Sequence, residues 1–257
     1  MSNEQDQGRI AREREFHYVR FASVEQERRD RFYDYVSGAR SRLRAVTARF
    51  GSGCGVLELG VGQSSTGWDV AAQGASVTSI DISPVAVDQA RAAAAAEGVR
   101  NISFEVMNAE ALTFEPAAFD AVIGSGILHH LDIDRALGQV ADVLADDGVA
   151  VFYEPLGHNP LINWYRNRTP DMRTDDEHPI VRQDLELIAR HFDSVELSMH
   201  HCLVIGCAVL PKPVAKLLRP VLELFDRGIA RIPGLRWQSW ITVMVLSDPK
   251  RGSDRVD

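Results

Sequence analysis

Short apolar runs recur through the middle of the chain. They occupy residues 56–59, 76–80, 102–107, 119–123 and 149–153. They are rich in Val, Ile and Leu with few polar breaks, the pattern of strands covered on both faces. Between them lie stretches with helical spacing. Residues 66–73 fit a helix closed by Gly74. A second starts at Ser83-Pro84, an N-cap followed by proline at the first helical position, and runs through the Ala92–Ala96 block to Gly98 as its C-cap. Residues 133–144 form a third, and Asp146-Asp147-Gly148 reads as a turn before the fifth strand. Strict alternation of this kind predicts a parallel sheet with helices on both faces.

The flanks read differently. Residues 9–50 look helical, with Phe16, Tyr18, Phe21, Phe32, Tyr33 and Leu43 among Arg and Glu, and Gly51-Ser-Gly-Cys-Gly55 breaks that pattern. Residues 154–179 carry prolines, polar and aromatic residues without a clean period. A helix at 182–191 and a strand at 195–199 follow. Residues 201–236 read as an inserted cap of one or two apolar helices, and 240–246 as a final strand.

Composition narrows the function classes. The 257 residues suit one elaborated domain, and 45% hydrophobic with 25% charged residues is ordinary for a globular protein. A net charge of -8 argues against a nucleic-acid partner. Cys54, Cys202 and Cys207 show no C-x-x-C pairing, so neither a zinc site nor a disulfide framework is expected, and no metal is assigned. The polar first residues lack a signal-peptide pattern, and the longest apolar run, 202–210, falls short of the ~20 residues a bilayer needs. The expectation is a cytoplasmic protein with reduced thiols.

The sharpest chemical signal is Val56-Leu-Glu-Leu-Gly-Val-Gly-Gln-Ser-Ser-Thr-Gly67, read with Asp81. A strand enters a glycine turn and a helix, and an acidic residue closes the next strand, the layout of a nucleoside site. The loop lacks the spaced third glycine that brings a helix N-terminus to a pyrophosphate. Glu58, Asp81 and Glu110 make the surroundings acidic, which suits a sulfonium and an ammonium better than phosphates.

Five ordered blocks resemble class I S-adenosylmethionine-dependent methyltransferases of the ubiquinone/menaquinone type. They are Glu58-Leu-Gly60-Val-Gly62, Ile80-Asp81-Ile82-Ser83-Pro84, Met107-Asn108-Ala109-Glu110, Phe119-Asp120 through Ser125 to His129-His130-Leu131, and Leu144 through Gly148 to Val151. The resemblance implies a Rossmann-like α/β fold with a seven-stranded, mostly parallel sheet, its last strand antiparallel. It also implies S-adenosyl-L-methionine as cofactor. Gly60 and Gly62 would face its methionine part, and Glu58 its amino end. Asp81 would take the ribose hydroxyls, Ile82 would lie on the adenine, and Asn108 with Ala109 would sit at the adenine edge. The turn from Ser125 would pass beneath the amino group and sulfonium.

Residues for the acceptor side lie outside those blocks. His158 and Glu154 follow the fifth strand and His129 the fourth, where ligands of open parallel sheets collect. One of them could serve as a general base. Residues 1–50 are read as a helical lid, with His17 and Tyr33 as its cofactor contacts, and 51–257 as the methyltransferase domain. The apolar 201–236 cap, with Lys212, Lys216, Arg219 and Arg227 nearby, could wall a pocket, form a homo-oligomer face (as could the N-terminal helices) or rest on a membrane surface, in that order of preference. The expected activity is methylation of a small apolar or aromatic acceptor in natural-product or quinone-like biosynthesis, on oxygen by default. Carbon methylation of a prenylated alkene or ring is the alternative, and a cofactor-binding scaffold without transfer is the reading from another class.

Overall fold

The computed structural model describes Gly8 and residues 37–61, 66–168 and 177–251. Its strands are β1 (Gly55–Leu59), β2 (Ser76–Asp81), β3 (Ile102–Val106), β4 (Phe119–Ser125), β5 (Leu144–Pro155), β6 (Phe192–His200) and β7 (Ile241–Pro249). They form one seven-stranded sheet in the order β3-β2-β1-β4-β5-β7-β6. Strands β1 to β5 pair in parallel, while β7 runs antiparallel to both β5 and β6. The order reverses between β1 and β4, and a crevice opens at such a switch point beyond the carboxyl ends of the strands.

Seven α-helices accompany the sheet among the described residues: α1 (Ser37–Thr47), α2 (Thr66–Ala72), α3 (Pro84–Glu97), α4 (Ile133–Val143), α5 (Pro160–Asn167), α6 (Asp184–His191) and α7 (Lys212–Ile229). The period of two along each strand divides the core into two layers. Val56, Val77, Ile123 and Val151 share one with Ala39 and Leu43 of α1 and Val70 of α2. Leu57, Leu59, Ile80, Val122 and Phe152 share the other with Leu137 and Val140 of α4 and Ile188 of α6. Local signals act as the sequence predicts on α3: Ser83 Oγ accepts the Ala86 amide at 3.4 Å, and Gly98 ends the helix at φ 71°.

Three elements differ from the sequence reading. The turn expected at Asp146–Gly148 is a bulge inside β5. Leu144 is fully buried and pairs with Phe119, and the register resumes at Ala121↔Val149, so the intervening residues loop out of the ladder. Gly148 is required there, because a Cβ would stand 2.4 Å from Leu144 Cδ2. A helix, α5, occupies the stretch read as irregular. Residues 201–236 hold a 3₁₀ turn at Val204–Val209, then α7, then a second 3₁₀ turn at Leu235–Gln238. Helix α1 packs on β5, β6 and β7 as a core helix. The lid expectation therefore falls on residues before 37, which, with His17 and Tyr33, lie outside the described residues. Among the described residues no helix is long and apolar enough to cross a membrane.

Candidate functional site

The glycine turn after β1 and the acidic end of β2 meet at the switch point. Gly60 has φ 82°, a conformation side chains resist, and its amide donates to Ile80 O at 2.8 Å. A Cβ at this position would stand 3.4 Å from Ile127 Cδ1. The Asp81 carboxylate accepts the Val61 amide at 3.0 Å and the Ser83 amide at 2.8 Å. Burial pushes its pKa up, and the two amide bonds pull it partly back. The Asp81 carbonyl accepts the Met107 amide at 3.0 Å, which fixes the third block beside the second. There Asn108 Oδ1 accepts the Glu110 amide at 2.9 Å, and Ala109 is buried. Ile82 is half-buried. Gly62 lies outside the described residues.

Glu58 is only 3% exposed, on the strand face where α2 packs. Its Oε1 accepts the Gly67 amide at 2.7 Å in the first turn of α2, and its Oε2 accepts the Ser79 hydroxyl at 2.5 Å. An anion at a helix N-terminus is favourable, so Glu58 holds α2 against β2 and sets the slope of the glycine turn.

Strand β4 ends at Ser125, which is exposed, and Gly126 turns the chain with φ 66°. The Gly126 amide donates to Tyr153 O at 2.8 Å, tying this turn to β5. One residue further along β5, Glu154 is 0% exposed. Its Oε1 accepts the Ile127 and Leu128 amides, each at 2.9 Å, and its Oε2 meets His129 Nδ1 at 2.7 Å. A buried carboxylate thus holds the 3₁₀ turn Leu128–His130 and orients the imidazole on it. The His129 side chain keeps 11% exposure, and its Cε1 would stand 3.6 Å from a Cβ on Gly126. Glu154, a candidate catalytic residue in the sequence reading, is enclosed and touches the turn.

His158, the other candidate after β5, makes different contacts. Its Nε2 accepts the Arg182 amide at 3.1 Å, and its ring meets Trp237 edge-on at 5.7 Å. Next to it, Asn159 caps α5 through Oδ1, which accepts the Leu161 and Ile162 amides, while its Nδ2 donates to Cys202 O and Gln238 O. The sequence Asn159-Pro160 carries the same N-cap and proline signal as Ser83-Pro84, and this signal could have located α5.

A residue absent from the sequence reading, Glu177, stands between two basic groups. Its Oε2 is 3.1 Å from Arg166 and its Oε1 4.0 Å from His130 Nε2. His129, His130 and Glu177 each bring one ligand-type atom within 4.8 Å of the others. The Arg166 guanidinium already supplies a cation to that carboxylate. Glu177 and Arg166 border a cleft of about 210 Å³ with Gly157, Asn163 and His178, and the His178 amide donates to His129 O at 2.7 Å. Cleft and His129 turn are therefore joined.

Residues 56–148 match the family model described as a methyltransferase domain. Among curated proteins, the chain is 37% identical over 106 residues to the aklanonic acid methyltransferase DauC of Streptomyces sp. (strain C5), covering 39% of this chain and 48% of that protein. It is 33% identical over 121 residues to the ubiquinone biosynthesis O-methyltransferase of Xanthomonas axonopodis pv. citri, covering 46% and 50%. The chain spans about half the length of these curated relatives. Among solved structures, phosphoethanolamine N-methyltransferase 2 of Haemonchus contortus in complex with S-adenosyl-L-methionine superposes with a TM-score of 0.57 at 18% identity, over 80% of this chain and 52% of that one. That likeness concerns the fold. Residues 56–148 thus match a methyltransferase domain, set in a seven-stranded, mostly parallel sheet whose fold is like that of the solved methyltransferase.

Proposed function

We propose that this chain transfers the methyl group of S-adenosylmethionine to a hydroxyl of a small apolar or aromatic acceptor of natural-product or quinone-like type. The curated relatives named for aklanonic acid and for ubiquinone O-methylation support the acceptor class. The donor set fits the cofactor. Each Asp81 oxygen engages one backbone amide and keeps a further lone pair for a ribose hydroxyl. Gly60 offers backbone without a Cβ, and Ala109 offers a small apolar wall. In this reading Gly60, Gly62 and Ser125 hold the methionine end, Glu58 acts through the slope of the glycine turn, and Ile82, Asn108 and Ala109 hold the base.

The cofactor supplies a methyl already activated as a sulfonium. The chain's residues align the acceptor, exclude water and remove its proton. Alignment can contribute up to ~7–11 kcal/mol, and a general base ~10²–10⁴ in rate. The observation that carries the assignment is the Glu154–His129 contact of 2.7 Å. An ionised Glu154 takes the Nδ1–H, so the Nε2 lone pair is left to accept the hydroxyl proton, and the carboxylate then stabilises the imidazolium. Glu154 is a positioning residue in this scheme and His129 the base. His158 supports the loop through Arg182 and Trp237.

The test is calorimetry with S-adenosylmethionine, followed by incubation of the protein with isotopically labelled cofactor and a panel of phenols, anthraquinones and quinols. Labelled methyl on a phenolic oxygen, located by NMR, is the expected product. Labelled methyl on carbon would transfer the reading to C-methylation. Cofactor binding with no product from any acceptor or cell extract would favour the scaffold, and no binding would overturn both.

A further inference from the structure

Helix α7 leaves a broad apolar surface uncovered. Leu217 is 75% exposed, Leu224 65% and Phe225 59%, and Val221 and Val214 beside them are also exposed. At 100° per residue these side chains occupy one continuous arc of the helix. The opposite edge is firmly seated. Ala215 and Asp226 are buried, and the Asp226 carboxylate accepts the amides of Cys202, Leu203 and Val204 at 3.1, 2.7 and 3.2 Å. The outer face is thus presented by an anchored helix. Among the described residues nothing packs over this arc to close a pocket against it.

The charge beside the arc identifies what fits it. Lys216 and Arg227 are exposed on the flank of the helix beyond Leu224, and Arg231 follows the helix. Arg219 pairs with Glu223, and Asp226 is turned inward. This edge is therefore basic on a chain whose net charge is -8. A second copy docked with its α7 antiparallel across a two-fold axis would bring one basic edge against the other, which is repulsive. An anionic lipid surface satisfies both halves of the face: acyl chains take the apolar arc and headgroups take the lysines and arginines.

We propose that α7 is an interfacial helix that seats this protein on anionic membranes, lying flat with Leu217, Val221, Leu224 and Phe225 in the headgroup–acyl boundary. This inference stands on α7 alone and is independent of the proposed chemistry.

The test is co-sedimentation of the full chain with phosphatidylcholine vesicles, with and without phosphatidylglycerol, at low and high salt. Binding to the anionic vesicles that weakens with salt is expected. The Leu217→Glu/Leu224→Glu variant should lose at least tenfold in partition. Lys216→Gln/Arg227→Gln should lose about 25-fold on anionic vesicles, about fivefold per basic residue, and little on phosphatidylcholine. All four side chains are exposed, so circular dichroism and melting point should match the parent and confirm an intact fold. Sedimentation velocity without lipid should show a monomer. Equal binding to both vesicle types, no binding to either, or a lipid-free dimer that Leu217→Glu dissociates would overturn the proposal, the last in favour of a second copy.

Discussion

Glu154→Gln is the most discriminating perturbation of the site. The substitution keeps size and shape at a position with no solvent access. The amide oxygen can still accept the Ile127 and Leu128 amides, so the 3₁₀ turn keeps its holder. The other arm changes from acceptor to donor and faces His129 Nδ1 at the 2.7 Å contact. The imidazole then presents its lone pair at Nδ1 and its proton at Nε2, the wrong tautomer for accepting a proton from a substrate. Turnover should fall by ~10²–10⁴, the range of a general base. Loss of a charge-assisted hydrogen bond should lower stability by roughly 1.5–3 kcal/mol, or about 3–12 °C in melting point for a chain of this size. Cofactor affinity should stay within about twofold, because Asp81 and Gly60 are untouched. Three readouts separate positioning from mere support: calorimetry for the cofactor, single-turnover transfer to the acceptor, and ¹⁵N NMR of the histidine ring for the tautomer. Turnover within threefold of the parent, with the His129 proton moved to Nε2, would refute the assignment of His129 as base.

Asp81→Ala should weaken S-adenosylmethionine binding at least tenfold by calorimetry, since the two carboxylate oxygens at the end of β2 are the proposed ribose acceptors; unchanged affinity would remove Asp81 from the site. Gly124→Ala should destabilise the fold by ~1–3 kcal/mol in urea unfolding, because its Cβ would stand 2.7 Å from Ile127 Cγ2 and 2.8 Å from Phe152 Cδ1. His200 has its pKa lowered to about 4, first by burial and then by Arg42. The folded state therefore favours the neutral ring: its contribution is complete above about pH 6.5 and is lost as pH falls toward 4. This contributes up to about 3 kcal/mol of acid sensitivity. His200→Gln should flatten the stability profile between pH 6.5 and 4, and an unchanged slope would show that another group carries it.

What could be read in advance divides along a physical line. Strands β1 to β4, the Ser83 and Gly98 caps and the switch-point placement of Asp81 follow from short-range rules: apolar run length, cap chemistry and glycine turns. The bulge in β5 was not legible because Asp-Asp-Gly satisfies a turn locally, and only the pairing of Leu144 with Phe119, 25 residues away, makes it part of a strand. His158 and Glu154 looked alike as polar residues after a strand. Their different fates depend on long-range partners, Arg182 for one and the 127–129 turn for the other. Glu177 escaped notice because its neighbours Arg166 and His130 are distant in sequence. The apolar character of α7 was plain, but its exposure depends on which edge Asp226 fastens down.

The position of β7 between β5 and β6 has a consequence for how the chain is made. Ribosomes deliver β6 before β7, yet β6 touches the sheet only through β7. Until residues 241–249 emerge, β5 is a bare sheet edge carrying Glu154, and β6 has no ladder partner. A nascent chain at that stage presents two unpaired strand edges, the surfaces most prone to wrong association. A chain truncated before residue 241 should therefore be far more prone to aggregate than one that includes β7.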